Sequence, residues 1–446
     1  MSNLDLAADL LKAARAAGAD AADAMVVENH SVSIGVSGGA LEEAERSEAR
    51  EAGLRALVGQ RQAAVAASDL SPGSLARMAE RAVALAREAP DDPWIGLAEP
   101  EQIAGGVDAT ALDMEDPAPL PGPADLEALA LRTEEAALAV AGITQVEQAH
   151  GSTDRTSMAI AATNGFSGSY VRTATGVGAS AVAGDGLGRE RDYAGEYRRH
   201  QADLPTPEEI GDLAGLRAAE RLSPRKPKGG AVPVLFDERV ASSLVGHLVS
   251  AINGSAIARG ASWLIDAMDR QILPQNVDLI EEPLRPRALS SRPFDAEGIA
   301  SVVRPLVEGG ILRRWVLDLG TARKLGLETT GNARRGLAGP PGPGVTNLKL
   351  ASSAAKPRAD MVRDIGTGLI VTSMIGASIN PTTGAYSRGA SGFWVENGEF
   401  AYPVNEITIA GSLPEMLRSI VLADDANPAR AHIVPSILVE GLTVGA

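Results

Sequence analysis

The sequence predicts an α+β protein: an N-terminal helix plus antiparallel strand meander modules, followed by a β-rich C-terminal domain. Three observations carry this. Apolar and polar residues alternate in short runs between glycine turn signals, first around residues 32–58 and again around 144–197. Each group of runs is flanked by segments with apolar residues at helical spacing behind a capping residue. From Ala231 onward the chain carries more Gly and Pro and most of its aromatics. At roughly 150 residues per domain, 446 residues imply two or three domains. Composition shifts place them at 1–100 (N-terminal α+β), 101–228 (central α+β with linker) and 229–446 (C-terminal, β-rich).

The first helix is read from Leu4, Leu10, Leu11 and Ala14 behind an Asn3 cap, ending at Gly18. Val32, Ile34 and Val36 then alternate with Ser33, Gly35 and Ser37, and Gly38-Gly39 supplies a tight turn. Leu54, Ala56 and Val58 continue the alternation. Ser71-Pro72 opens a helix presenting Leu75, Met78, Ala82 and Leu85 on one face. Residues 89–123, rich in Pro, Asp and Gly and without sustained period, form a connection. The order then recurs, with a helix marked by Leu126, Leu129 and Leu138, a second set of strands, and a helix opened by Thr206-Pro207 that ends near Leu222. Arg221 to Lys228 is basic, but its two prolines make it a solvated linker.

Five of the chain's 14 Phe, Trp and Tyr residues lie between Tyr386 and Tyr402. Such a cluster marks either a domain core or a subunit interface.

A formal net charge of -16 repels phosphate backbones and anionic lipid, so nucleic acid and membrane surfaces are not expected partners. The absence of cysteine excludes disulfides, thiolate nucleophiles and Cys-ligated metals. The N-terminus lacks a basic segment followed by an apolar run, and no stretch reaches the length of a membrane span, so a cytoplasmic location is expected.

Motifs for chemistry are sparse. His30, His150, His200, His247 and His432 are separated by at least 47 residues, and there is neither HExxH nor His-x-His. Gly389-Ala390-Ser391-Gly392 approaches a nucleophile elbow, but Phe393 stands where the last glycine is needed. Ser353 to Lys356 and Ser223 to Lys226 match S-x-x-K beside prolines that oppose a helix. The acidic pairs Asp91-Asp92, Glu281-Glu282 and Asp424-Asp425 are adjacent, and neighbours on a helix or strand point apart. The residues alone give an acidic multidomain α+β protein without visible catalytic apparatus.

Five stretches carry a resemblance: LEEAERSEAREAGLRALVGQRQA from Leu41, PFDAEGI from Pro293, ARKLGLETTGNARR from Ala322, GASINPTTGAYSRGASGFWVENGE from Gly376 and PVNEITIAGSLPEML from Pro403. They resemble the TldD/PmbA peptidase family, whose founding members were described as modulators of DNA gyrase and as maturation proteases for a peptide antibiotic. Its catalytic TldD type uses HExxxH, a later cysteine and a water-activating glutamate around zinc. In the best register, Ser242-Ser243-Leu244-Val245-Gly246-His247 lies over that motif and keeps only the last histidine.

The resemblance therefore implies the PmbA/TldE type, with no catalytic or metal-binding residue and no cofactor in this chain. Zinc is expected in a TldD-type partner subunit, with unfolded peptides as substrates; whether the isolated chain forms a homodimer stays open. On the same basis Asn332, Arg334, Arg335, Tyr386, Phe393 and Trp394 are candidates to line a peptide channel or interface. The competing expectations are a non-proteolytic regulatory or binding protein linked to DNA gyrase, and a metallopeptidase active on its own.

Overall fold

The protein was analysed as a computed structural model in which residues 1–106 and 108–445 are described. The N-terminal half runs α1 (Asn3–Ala16), β1 (Ala21–Ser37), β2 (Ala40–Val58), β3 (Arg61–Ala67), α2 (Pro72–Glu88), α3 (Pro123–Ala139), β4 (Ile143–Ala162), β5 (Ser167–Ala183), β6 (Glu190–Arg198) and α4 (Pro207–Ala219). The two meanders join into one antiparallel sheet of order β3-β2-β1-β4-β5-β6. The joint is a long ladder between β1 and β4, from Asp23 opposite Ala162 to Val36 opposite Ala149.

Local chemistry accounts for most of these elements. Gly38 and Gly39 have φ of 61° and 74°, the left-handed pair that a two-residue hairpin turn between β1 and β2 requires. The cap of α1 is Ser2 rather than Asn3: Ser2 and Asp5 form a reciprocal capping box, while the Asn3 side chain bonds Ser157 and Arg50. In α2 the buried stripe is Leu75, Met78, Ala79, Ala82, Val83 and Ala86, whereas Leu85 is 45% exposed. At about 100° per residue, position 85 has rotated off the face that Leu75 defines.

Period-2 alternation sorts the sheet into two faces. Ala22, Ala24, Val26 and Ile34 of β1 point to α1 to α4, forming two cores with Leu10, Leu75 and Met78 and with Leu126, Ile210 and Ala214. Met25 and Val27 point the other way, into a core shared with Phe294, Ala296 and Ala333 of the C-terminal half. The packing is close there, since a side chain at Gly53 would meet the Leu337 backbone.

The C-terminal half runs β7 (Gly230–Phe236), α5 (Glu238–Ala251), α6 (Gly254–Ala258), β8 (Val277–Glu281), β9 (Arg304–Glu308), β10 (Ile311–Leu312), α7 (Leu319–Leu325), β11 (Ala333–Arg334), β12 (Gly342–Pro343), β13 (Leu348–Ser352) and α8 (Arg358–Ile365). It continues with β14 (Gly368–Ile379), β15 (Ala385–Glu396), β16 (Glu399–Ser412), α9 (Leu413–Arg418), β17 (Val421–Leu422), β18 (His432–Ile433) and β19 (Ile437–Gly445). Its larger sheet has the order β16-β15-β14-β7-β19-β17. Thr408 to Ala410 of β16 also pair with Thr443 to Gly445 of β19, curling the sheet on itself. Val234 and Phe236 face a large core filled by the apolar stripe of α5, while Leu235 faces a smaller one under α8. A five-stranded sheet, β10-β9-β8-β13-β18, completes this half. Strand dominates here, as the gain in Gly and aromatics predicted.

Candidate functional site

The face of α5 that turns away from its apolar stripe carries Ser242, Ser243 and His247, the positions aligned with HExxxH from the sequence alone. The helix starts at Asp237, whose side chain accepts the Arg239 N–H and is held by the Arg358 guanidinium at 2.8 Å. Ala241, Leu244, Val245, Leu248 and Ala251 then recur at helical spacing and are buried, which commits that side to the core. Ser242, Ser243 and His247 are left on the remaining, half-buried surface.

The helix is unbroken from Glu238 to Ala251. Ser243 and His247, four apart, share a face; Ser242 and His247, five apart, lie about 140° apart around a regular helix. The hydroxyl of Ser243 donates to the Val240 carbonyl at 2.7 Å and is thus directed back along its own helix.

His247 packs edge-on against Tyr386 of β15, with ring centroids 5.9 Å apart and planes at 73°. Burial, helped by the charge of Arg388, pushes the imidazole below its usual pKa. Its Nε2 is buried without a hydrogen-bond partner among the described residues. Burial pushes the Tyr386 phenol up to about 12, so it remains a donor, and its hydroxyl donates to the Met374 sulfur at 3.5 Å. Arg388 donates through Nε to the Gly376 carbonyl at 2.7 Å. The arrangement offers a neutral imidazole beside a phenol and a guanidinium, with the Ser243 alcohol on the same face but bonded to its own backbone and the Ser242 alcohol displaced around the helix. Among the described residues, no three His, Cys, Asp or Glu side chains gather as a metal-binding group.

The remaining candidate residues divide among three places. Trp394, 2% exposed, and Tyr386 belong to the large C-terminal core. Phe393 meets the exposed Phe400 edge-on, 5.6 Å between centroids, beside an open pocket on the opposite side of that strand. Asn332 is buried and donates both to Glu281, at 2.8 and 3.0 Å, and thereby fixes the turn that carries Arg334 and Arg335.

Arg335 reaches across to the N-terminal sheet and pairs with Asp23, which also takes Arg55 at 2.5 Å. Burial opposes charge on Asp23, but Arg335 and Arg55 outweigh it and hold the carboxyl below its ordinary range. This triad is buried and ties the two halves together. Arg334, which is exposed, lines a cavity that Arg335 also borders. Residues of that cavity that the sequence did not single out, notably Arg172 and Arg292, are far apart along the chain and carry no local motif.

The fold thus defines an α+β protein with a single composite N-terminal sheet and a curled C-terminal sheet that holds α5. Sequence comparison gives the family. The PmbA/TldA metallopeptidase domain 1 matches residues 22–86, the central domain 116–222 and the C-terminal domain 229–446. The chain is 36% identical to the metalloprotease PmbA of Escherichia coli O157:H7 over 415 residues, covering 93% of this chain and 89% of that protein. It is 33% identical to the PmbA homologue of Haemophilus influenzae, covering 88% and 85% of the two chains. The chain belongs to the PmbA/TldD metallopeptidase family.

Solved structures agree on the fold. A protein from Bacteroides thetaiotaomicron described as a modulator of DNA gyrase superposes with a TM-score of 0.90 at 24% identity, over 99% of this chain and 98% of that one. TldE of Thermococcus kodakarensis superposes with a TM-score of 0.86 at 20% identity, over 99% and 100%.

Proposed function

We propose that this chain is a non-catalytic subunit of a PmbA/TldD-type zinc peptidase, pairing with a TldD-type subunit that holds the metal and hydrolyses unfolded peptides. The observation that carries the proposal is the polar face of α5. A zinc peptidase needs three protein ligands, an open coordination position and a carboxylate to take the proton of the metal-bound water. The α5 face supplies one imidazole and two alcohols, with the nearest named charge that of Arg388. A serine hydroxyl is a poor zinc ligand and no general base, and a guanidinium repels a dication. The donor set does not fit zinc, and no hydrolytic step is derived through this helix.

The chain's role in the pair is then positional: closing a chamber around the partner's metal and presenting extended chains, which bind by adding a strand to an exposed edge with little reading of side chains. The apolar and aromatic content near Phe393 and Phe400 supports contact with a partner or peptide. No helix among the described residues is long and apolar enough to cross a membrane; a cytoplasmic site of action belongs to the same proposal.

The test is elemental analysis and peptide hydrolysis with the pure chain, the pure TldD-type subunit and the mixture. Zinc is expected only with the partner, and hydrolysis of protein-derived peptides only in the mixture. His247→Ala and Ser243→Ala here are expected to leave most turnover. Stoichiometric zinc on this chain that is lost in His247→Ala, or full activity of the partner alone at equal folded concentration, overturns the proposal. Regulation of a DNA enzyme without proteolysis predicts no hydrolysis in any of the three samples.

A further inference from the structure

A cavity of about 250 Å³ lies between the outer face of the N-terminal sheet and the C-terminal half. Its floor is apolar: Met25, Met158 and Ile160 come from β1 and β4, and Phe294 closes the far side. Tyr170 shares this floor, its hydroxyl donating to the Met158 sulfur at 3.2 Å and so turned to an internal partner. Around the floor stand the guanidinium groups of Arg172, Arg292 and Arg334.

The charge balance of this cavity is unusual for a chain of net charge -16. Buried or half-buried arginines are ordinarily paired with carboxylates. Arg335, on the same wall, follows that rule through Asp23. Arg172 and Arg292, which are half-buried, make no ion pair among the described residues, and neither does Arg334, which is exposed at the edge of the cavity. Arg292 donates only to carbonyls, to Ala333 at 2.7 Å and Gly331 at 3.4 Å, and its Nε is buried without a partner. Arg334 donates to the Val345 carbonyl at 3.1 Å.

The one carboxylate in the lining, Asp295, is spent on backbone. It accepts the amides of Glu297 and Ile299 at 2.9 Å and of Ala333 at 3.0 Å. Burial, with Arg292 and Arg172 beside it, pushes the Arg334 guanidinium below its ordinary pKa, and these outweigh the more distant carboxylate of Glu281.

We propose that this cavity binds a small apolar carboxylate, whose head is taken by Arg172, Arg292 and Arg334 and whose body lies on the methionine and phenylalanine floor. Guanidinium and carboxylate match as planar forks, and one carboxylate supplies the charge that the cluster lacks. A dry cavity of about 150 Å³ accepts benzene, so this one holds a body of one ring or one branched side chain beside its anionic head. The same chemistry is offered by a free aryl or alkyl acid and by the C-terminal residue of a peptide. The site does not depend on the peptidase reading.

The test uses the full chain at low and moderate salt, with calorimetry against four probes: 4-phenylbutyrate, N-acetyl-Leu-Phe, N-acetyl-Leu-Phe amide and inorganic phosphate. One equivalent of a carboxylate probe is expected to bind, with at least tenfold weaker binding of the amide and of phosphate and a loss of affinity as salt rises. Preference for 4-phenylbutyrate identifies a free acid as the occupant, and preference for N-acetyl-Leu-Phe a peptide terminus. Arg172→Gln, which removes no hydrogen bond or ion pair among the described residues, and Arg334→Gln, which removes one bond to the Val345 carbonyl, are each expected to weaken binding at least tenfold with melting temperature nearly unchanged. Equal binding of the amide, binding of phosphate as tight as that of the carboxylates, no binding of either carboxylate at millimolar concentration, or full affinity in both arginine variants overturns the proposal.

Discussion

The face of α5 and the arginine cavity are both polar surfaces set against an apolar core, yet they differ in convergence. At His247 a single neutral ring meets Tyr386, and its neighbouring serines are displaced around the helix or bonded to their own backbone. In the cavity three cations from β5, the 289–296 segment and β11 line one volume and make no ion pair among the described residues. A single neutral ring among alcohols offers no convergent donor set. Convergence of like charges from distant segments, two of them half-buried and without an ion pair among the described residues, is costly to keep, which points to a ligand.

The strongest way to sharpen the contrast is to compare arginines that have a counter-ion with those that lack one. Among the described residues Asp23 is the sole carboxylate in hydrogen-bond reach of both Arg55 and Arg335, whose side chains are 3% and 0% exposed. Asp23→Ala leaves two buried charges uncompensated and is expected to cost about 3–5 kcal/mol in denaturant unfolding. Arg172→Gln, by contrast, is expected to change stability by less than about 1 kcal/mol, as for substitutions that break no internal contact. If the two cost the same, the cavity arginines are structural and the comparison fails.

Trp394→Ala separates core from interface in the aromatic run. Trp394 is fully enclosed with Tyr386, Val404 and Ile409, so truncation is expected to destabilise the chain by about 3–5 kcal/mol while leaving the association state of the folded protein unchanged. Sedimentation at a temperature where the variant is folded checks this. Loss of assembly with stability intact would move the cluster to the surface and take the α5 face with it.

What was legible in the sequence follows the range of the interactions involved. The hairpin at Gly38-Gly39 and the helices opened by Pro72 and by Thr206-Pro207 are specified within a few residues, and they appear where the pattern put them. The merging of two meanders into one sheet was not legible, because β1 and β4 pair residues more than a hundred positions apart and alternation does not name a partner. The same holds for the sites. His247 could be singled out only by laying the resembling family's HExxxH over Ser242 to His247. Arg334 and Arg335 could be flagged only through a resembling stretch, and their opposite fates, lining of a cavity and buried ion pair, depend on Asp23 and Arg172 in the other half of the chain.

The smallest expected effect concerns the protonation of His247. Its folded-state pKa is depressed by burial and by Arg388, so the unfolded chain binds the proton more tightly than the folded one. Stability rises with pH wherever the unfolded state holds more protons. The contribution of His247 is therefore full above its unfolded value of about 6.5 and is lost as pH falls from there toward the depressed folded value. His150 and His432 are depressed by burial as well, so all three act in the same direction. His247→Gln removes one of the three titrations, and unfolding free energy measured between about pH 7 and 5 is expected to fall less steeply than in the parent, by at most about 1.4 kcal/mol per pKa unit of depression. An unchanged slope would mean that the ring titrates normally, and with it that the α5 face is open to solvent and free to take a ligand.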